Sequence, residues 1–189
     1  HPCMIGHHSA SLIADAYLKG LRDFDVEKAY EGLKKNAMQA TMLPWANGPM
    51  TELDSVYLEK GFFPALPADK KEWVKEVHSF ERRQSAAVTL EHSYDDWCLA
   101  QLAKALGKQV DYDYFMKRAF NYTTLYNMKT GFMTPKTADG NWVEPFDPKR
   151  RVLGERAHVL GLNGIEQVGR GVWITAAERH RVPRRQLIL

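Results

Sequence analysis

The chain has 189 residues, enough for one domain with a core or for part of a larger domain. Its hydrophobic and charged fractions, 44% and 26%, are ordinary for a globular protein, and no apolar run approaches the roughly 20 residues of a membrane-spanning helix. Residues 1–148 carry 17 basic and 20 acidic side chains, whereas residues 149–189 carry 9 and 3, which together give the net charge of +3. Because the body is not basic, we do not expect a nucleic-acid-binding protein.

Capping and stop signals predict a series of helices in the first part of the chain. Side chains that accept hydrogen bonds from backbone N–H groups favour helix starts, and glycine favours helix ends. The starts are predicted at Ser9 or Ser11, at Asp25 and at the capping-box pair Thr51 and Asp54, with stops at Gly20 and Gly61.

The longest helical pattern is SAAVTLEHSYDDWCLAQLAKALGK, residues 85–108, where apolar side chains recur every three to four residues. Asp111 starts a further pattern. After residue 126 the period breaks, and Gly, Pro and Asp-Gly turn signals surround short extended pieces. The sequence therefore predicts a mainly α fold with loops and short-strand excursions, without βαβ alternation.

The most informative candidate site is the YDDW stretch, in which Asp95 and Asp96 lie between two aromatic residues. Adjacent helical side chains point about 100° apart, so one carboxylate can reach a pocket while the other pairs or meets solvent. Aromatic rings beside carboxylates are typical of a sugar subsite. The alternative interpretation is a solvated helix face around a buried Trp.

Other polar residues carry weaker signals. The histidines and Cys3 of HPCMIGHHS match no zinc pattern, although GHHSAS can be a loop whose His reaches a pocket. Cys3 and Cys98 cannot build a disulfide framework, so they do not indicate a redox compartment. EPFDP displays Glu144 and Asp147 from a stiff loop that suits either a substrate-lining position or a plain turn.

Four segments carry a family resemblance: MIGHHSASLIADAYLKGLRDFDVEKAYEGLKKNAM, TLEHSYDDWCLAQLAKALGK, YDYFMKRAFNYTTLYNMKTGFM and DGNWVEPFDP. Together they resemble the catalytic domain of glycoside hydrolase family 92, the calcium-dependent exo-acting α-mannosidases, over most of residues 3–148. The resemblance implies an enzyme with an N-terminal β-sandwich and an (α/α)6-barrel catalytic domain. Residues 1–148 would then be an incomplete slice of that barrel, with the sandwich and the rest of the barrel missing.

The resemblance also implies a function. Family members remove terminal α-linked mannose, often α-1,2, from mannose-containing glycans by inversion at the anomeric carbon. A glutamic acid protonates the leaving oxygen, and an aspartate activates water held near calcium. A secreted, periplasmic or cell-surface location is expected, although no signal peptide is visible in a chain that begins with His rather than Met.

The family motifs assign substrate-binding candidates but no catalytic residue and no metal ligand. The acid segment, Tyr-x-Glu-Gly-Asn-Ala-Trp, is absent, since Glu155 near its expected place lacks the residues that should follow it. The Asn-Glu-Pro and Asn-Asp-Asp-Cys-Gly segments are absent too. We therefore predict that the chain alone is inactive and does not retain calcium. The substrate-binding candidates are His8, Asp15, Asp95, Asp96, Trp97 and Glu144.

Residues 149–189 differ in composition from the body. They contain 8 Arg and 1 Lys, against 4 Arg and 13 Lys before them, and Trp173 is their single aromatic residue. We expect a non-matching tail that either comes from a reading-frame error or an unnatural junction or is disordered. The rival is a basic arm for phosphates or acidic glycans. For the whole chain, the alternative to an enzyme fragment is a non-catalytic helical carbohydrate-binding module.

Overall fold

The structure is a computed structural model that describes residues 5–147. The described part is mainly α-helical and confirms the fold class predicted from the helical periodicity. Its elements in chain order are α1 (Ser9–Leu18), α2 (Val26–Gln39), α3 (Glu52–Lys60), α4 (Ser85–Ala105), α5 (Gln109–Arg118), a 3-10 helix (Asn121–Leu125), β1 (Tyr126–Asn127) and β2 (Phe132–Met133).

Two of the predicted helix starts are confirmed. The carboxylate of Asp25 caps α2 by accepting the backbone N–H of Lys28 at 3.0 Å. At the start of α3, the backbone N–H of Thr51 donates to Asp54 at 2.6 Å, as the capping-box pattern predicts. Gly61 ends α3 in the left-handed conformation, at φ +75°.

Two other helix starts differ from the prediction. Neither Ser9 nor Ser11 caps α1; His8 occupies the cap position, and the Ser11 hydroxyl donates to the His8 carbonyl at 2.8 Å. Helix α1 begins at Ser9, so both serines lie inside the helix rather than at the position from which a side chain caps it. Helix α5 begins at Gln109, ahead of Asp111, because α4 and α5 are joined by a short turn at Gly107.

Helix α4 is the centre of the described part. It packs against α1, α2, α5 and the 3-10 helix, and most of its side chains are buried. A helix that is buried on nearly every face needs small residues where neighbours approach, and Ala100 and Ala103 are fully buried against α5 and α1 side chains of the same core. The core members are Ala10, Ala14, Tyr30, Leu33, Cys98, Leu99, Ala100, Leu102, Ala103 and Phe115.

A second core joins the N-terminal half of α4 to α3 and the loops around it. Its buried members are Met42, Leu43, Leu53, Tyr57, Phe63, Val74 and Val88. The strands β1 and β2 form a two-stranded antiparallel ribbon after the 3-10 helix. Within residues 5–147 no helix combines the length and the apolar composition needed to cross a membrane.

Candidate functional site

A tight turn at residues 6–8 places the start of α1 directly against α4. Gly6 has φ +86°, and a Cβ at this position would stand 2.9 Å from Asp95 Oδ2 and 3.0 Å from His8 Cε1. Only glycine fits both the left-handed backbone and the space. The turn aims the backbone N–H of His7 at Asp95 Oδ2, to which it donates at 2.5 Å.

His8, Glu91 and Asp95 form one charged cluster between α1 and α4. His8 Nδ1 lies 3.5 Å from Asp95 Oδ1, and His8 Nε2 lies 3.9 Å from Glu91 Oε2. The His8 side chain is 39% exposed, whereas that of Asp95 is 6% exposed. The Asp95 carboxylate beside it raises the pKa of His8, so this imidazole carries more positive charge near neutral pH than a free histidine. Burial raises the pKa of Glu91.

The cluster contains polar atoms that the described residues leave without a hydrogen bond. Asp95 Oδ1 and His7 Nε2 are buried and have no hydrogen-bond partner, although Asp95 Oδ1 faces His8 as an ion pair. A buried polar atom without a hydrogen bond costs about 1–3 kcal/mol, so such atoms are rare where they serve no purpose. Asp95 Oδ1 is therefore able to accept a hydrogen bond from the hydroxyl of a ligand.

The rings of His7, His92 and Tyr57 form a row of contacts that leads from this cluster into the protein interior. The rings of His7 and His92 meet edge to face with centroids 4.9 Å apart, and His92 lies 6.3 Å from Tyr57. Burial lowers the pKa of His7 and holds that of His92 far below its usual value, so His92 stays neutral. The site prediction omitted these residues and Glu91. The helical spacing in EHSYD would have found Glu91 and His92, which precede Asp95 by four and three residues.

Asp96 lies on another side of α4, in the interior. Its Oδ2 accepts a hydrogen bond from Arg118 Nε at 2.8 Å and faces the Tyr57 hydroxyl at 3.4 Å. Burial raises the pKa of Asp96, and the Arg118 guanidinium opposes that rise. Arg118 also donates to the Ala37 carbonyl at 3.1 Å, so the pair connects α2, α4 and α5. These are the contacts of an internal ion pair, and the sugar contact of Asp96 stays a prediction.

The remaining substrate-binding candidates lie apart from this cluster, at separate places on the described part of the chain. Trp97 is about half exposed and stacks on Tyr94, with ring centroids 6.4 Å apart and planes 13° from parallel. Asp15 is exposed and pairs with Lys19 of its own helix at 2.8 Å. Glu144 is exposed in the loop after buried Val143. Of the six candidates, His8 and Asp95 are thus brought into direct contact.

Calcium was expected from the family resemblance. Within residues 5–147 no group of three or more His, Cys, Asp or Glu side chains is arranged to hold a metal ion. Calcium takes six to eight oxygen ligands, whereas Asp95 and Glu91 share their cluster with a histidine whose protonated form is stabilised. The described residues therefore do not fit a complete calcium site.

The sequence matches the model of the glycosyl hydrolase family 92 catalytic domain over residues 1–168. The chain belongs to glycosyl hydrolase family 92. The match continues beyond the predicted boundary at Pro148 into the Arg-rich tail. Residues 149–189 and Glu155 lie outside the described residues, so the boundary and the origin of the tail stay predictions.

Two of the solved structures that this chain resembles are mannosidases. The family GH92 α-mannosidase BT3965 from Bacteroides thetaiotaomicron shares 37% identity and a TM-score of 0.61, over 78% of this chain and 17% of that one. The family GH92 inverting mannosidase BT2199 from Bacteroides thetaiotaomicron VPI-5482 shares 34% identity and a TM-score of 0.64, over 80% of this chain and 18% of that one.

A secreted glycosidase of Arthroderma benhamiae is 28% identical over 72% of this chain and 18% of its own length. The chain thus spans less than a fifth of the proteins it resembles. It is an incomplete slice of the helical catalytic domain of a glycosidase family, as the sequence predicts.

Proposed function

We propose that the chain is part of an inverting α-mannosidase that hydrolyses terminal α-linked mannose, often α-1,2-linked, from mannose-rich glycans. One observation carries the proposal: a buried carboxylate oxygen of Asp95 without a hydrogen bond lies beside a half-exposed, protonatable His8. The similar structures support it, because one is an α-mannosidase that has also been solved with mannoimidazole and another is an inverting mannosidase.

The cluster can recognise a sugar in two complementary ways. Asp95 Oδ1 can accept a hydrogen bond from a ring hydroxyl, while His8 donates to a neighbouring oxygen. Hydrogen bonds to charged groups contribute about 1.5–3 kcal/mol each, which makes these two contacts the strongest part of the proposed subsite. The stacked and partly exposed pair of Tyr94 and Trp97 offers a flat apolar surface to the C–H face of a pyranose.

We propose that the chain alone lacks the acid and the base that hydrolysis by inversion requires. An inverting glycosidase needs an acid and a base about 6.5–9.5 Å apart, with water between the base and the sugar. Glu91 and Asp95 are one helical turn apart and both contact the same histidine, so we assign neither role to them. We propose that this chain binds mannosides but does not cleave them, that the intact enzyme uses calcium, and that it is secreted or displayed at the cell surface.

The test combines an activity assay with binding calorimetry on the full 189-residue chain. We expect no release of mannose from mannobiose, with or without calcium, and weak saturable binding of mannobiose. Asp95→Asn should weaken that binding about tenfold, which corresponds to about 1.4 kcal/mol, whereas the matched control Asp23→Asn, at an exposed position outside the candidate site, should not. Mannose release that a chelator abolishes would contradict the inactivity, and binding insensitive to Asp95→Asn would remove the proposed subsite.

A further inference from the structure

A second concave site lies on the other core, away from the six predicted residues. It is a groove of about 420 Å³, large enough for a sugar ring. Thr41 and residues 46–52 line it on one side, and residues 73–76 line it on the other. Of the motifs in the sequence analysis, the groove includes only Thr51 of the capping box, and the proposed function makes no use of it.

Trp73 forms a rigid platform at this groove. The Trp73 side chain is 52% exposed, yet it is held from two directions. Its indole Nε1–H donates to the Glu52 carboxylate, and the Arg83 guanidinium lies 4.6 Å from the ring centroid. One ring face is thus covered by a cation, and the exposed area belongs to the rest of the ring.

The cation beneath Trp73 is itself fixed. Arg83 is only 4% exposed. Its Nε and Nη2 donate hydrogen bonds to the two carboxylate oxygens of Glu72, at 2.7 and 2.8 Å. Glu72 also accepts the backbone N–H groups of Trp73 and Val74, each at 3.0 Å. A buried bidentate pair that also holds the backbone is more than an exposed tryptophan needs for packing, and it orients the ring in advance of any ligand.

The opposite wall of the groove is equally well anchored. The fully buried Asp54 carboxylate accepts hydrogen bonds from the Thr41 hydroxyl at 2.8 Å and the Met42 N–H at 2.7 Å, besides capping α3. The loop above it holds Trp45 at φ +60°, a conformation that costs a non-glycine residue about 1–3 kcal/mol. The exposed ring of Trp45 lies 5.2 Å from His78, centroid to centroid.

We propose that this groove is a second carbohydrate subsite that binds one hexopyranose unit of a mannoside. Trp73 stacks on the sugar's C–H face, and Glu52, Glu76 and Asn47 bond its hydroxyls. Lys75 also lines the groove, so its wall combines acidic, amide and basic side chains. Such a mixture favours a neutral polyhydroxyl ligand over an anion or a cation. The choice of a mannoside rests on the proposed function, whereas the position of the groove does not.

Fluorine NMR of the full chain labelled with 5-fluorotryptophan tests the proposal. The chain contains five tryptophans, and single Trp→Phe variants assign their signals. If Trp73→Phe does not fold, the other four variants assign Trp73 by elimination. On titration with mannobiose we expect a saturable shift of the Trp73 signal, and the Trp97 signal independently reports the His8–Asp95 subsite.

The two signals separate the two proposals. If the Trp97 signal shifts and the Trp73 signal does not, the groove subsite is overturned and the proposed function is supported. If the Trp73 signal alone shifts, the groove subsite is supported and the His8–Asp95 subsite is overturned. A flat titration of both signals overturns both. Glu76→Gln should weaken the Trp73 titration about three- to tenfold, because it replaces a charged acceptor in the groove. The matched control Glu59→Gln, on the exposed C-terminal part of α3, should leave it unchanged, and an equal effect of both variants would count against the groove.

Discussion

Asp95 and Asp96 are neighbours in the chain and occupy opposite kinds of environment. Asp96 is enclosed: a guanidinium at 2.8 Å and a tyrosine hydroxyl at 3.4 Å face its Oδ2. Asp95 is just as buried, but one of its oxygens has no hydrogen bond, and its ion-pair partner His8 is partly open to solvent. Asp96 thus pairs with a buried cation, although Arg118 Nη2 has no hydrogen-bond partner among the described residues, whereas Asp95 pairs with a histidine that is partly open to solvent.

The rotation of the helix explains how one dipeptide serves two purposes. Successive residues turn by about 100°, so Asp96 points to α5 and Arg118 while Asp95 points to the turn at Gly6. The comparison teaches that a buried carboxylate can hold helices together when its charged partner is also buried, and can serve binding when its partner is open to solvent.

The largest effect is expected at the enclosed carboxylate. Arg118→Met keeps an unbranched apolar stem but removes the guanidinium and leaves Asp96 buried without a cation, so we expect the free energy of unfolding to fall by about 3–5 kcal/mol. Urea unfolding followed by circular dichroism measures the loss. Adding Asp96→Leu should recover part of it, because the double variant buries no unpaired charge.

Lys117→Met is the matched control for Arg118→Met, since it removes an exposed cation from the same helix. It should change the free energy of unfolding by less than about 0.5 kcal/mol. Equal, small losses for the two variants would mean that the Asp96–Arg118 pair does not hold the helices together.

A smaller effect is expected at the turn that presents Asp95. Gly6→Ala and Gly20→Ala both place a Cβ on a left-handed backbone, at φ +86° and +90°. A Cβ at Gly6 would meet Asp95 Oδ2 at 2.9 Å, whereas nothing lies within 4 Å at Gly20. Unfolding measurements should therefore show that Gly6→Ala loses about 1–3 kcal/mol more than Gly20→Ala. Equal losses of unfolding free energy for the two variants would show that a Cβ at position 6 does not clash with Asp95.

The smallest effect concerns pH. The folded-state pKa of His8 is raised chiefly by the Asp95 carboxylate beside it, so its contribution to stability is full below the unfolded pKa of about 6.5 and is lost as pH rises through the folded value. The lowered pKa values of His7 and His92 act with the opposite sign, since both disfavour folding on acidification. The contributions of His7 and His92 are present in both proteins, so they largely cancel when the unfolding free energy of wild type is compared with that of His8→Gln.

Urea unfolding of wild type and His8→Gln at about pH 5 and about pH 8.5 isolates the contribution of His8. The difference in unfolding free energy should be largest at the lower pH and stay below about 1 kcal/mol, because His8 is partly exposed and screened. In an Asp95→Asn background the pH dependence of that difference should shrink. A difference that grows with pH would contradict the assigned ion pair.

Local sequence signals predicted the helices well. The α4 pattern, the Asp25 cap, the Thr51–Asp54 capping box and the Gly61 stop depend on contacts within one or two turns, and the structure confirms all four. The α1 cap failed because Ser11 bonds a carbonyl instead of an amide, a choice between two local geometries that the same residue types allow.

The candidate site was less predictable because its partners lie far apart in the chain. YDDW indicates that two adjacent carboxylates must diverge, but only the packing of α5 shows that Asp96 meets Arg118. The contact between His8 and Asp95 spans 87 positions and depends on the conformation of Gly6. The groove at Trp73 had no sequence signal, since its lining comes from loops without a recognisable motif.

Parallel measurement of Asp95→Asn and Asp96→Asn tests the central claim most directly. Each variant is assayed for its free energy of unfolding in urea and for its affinity for mannobiose. We predict that Asp95→Asn loses about tenfold in affinity with a stability change below about 1 kcal/mol, while Asp96→Asn loses more than about 2 kcal/mol of stability and its folded fraction binds as wild type does. If Asp95→Asn binds normally, or if folded Asp96→Asn is the variant that loses binding, the division between the two carboxylates is wrong.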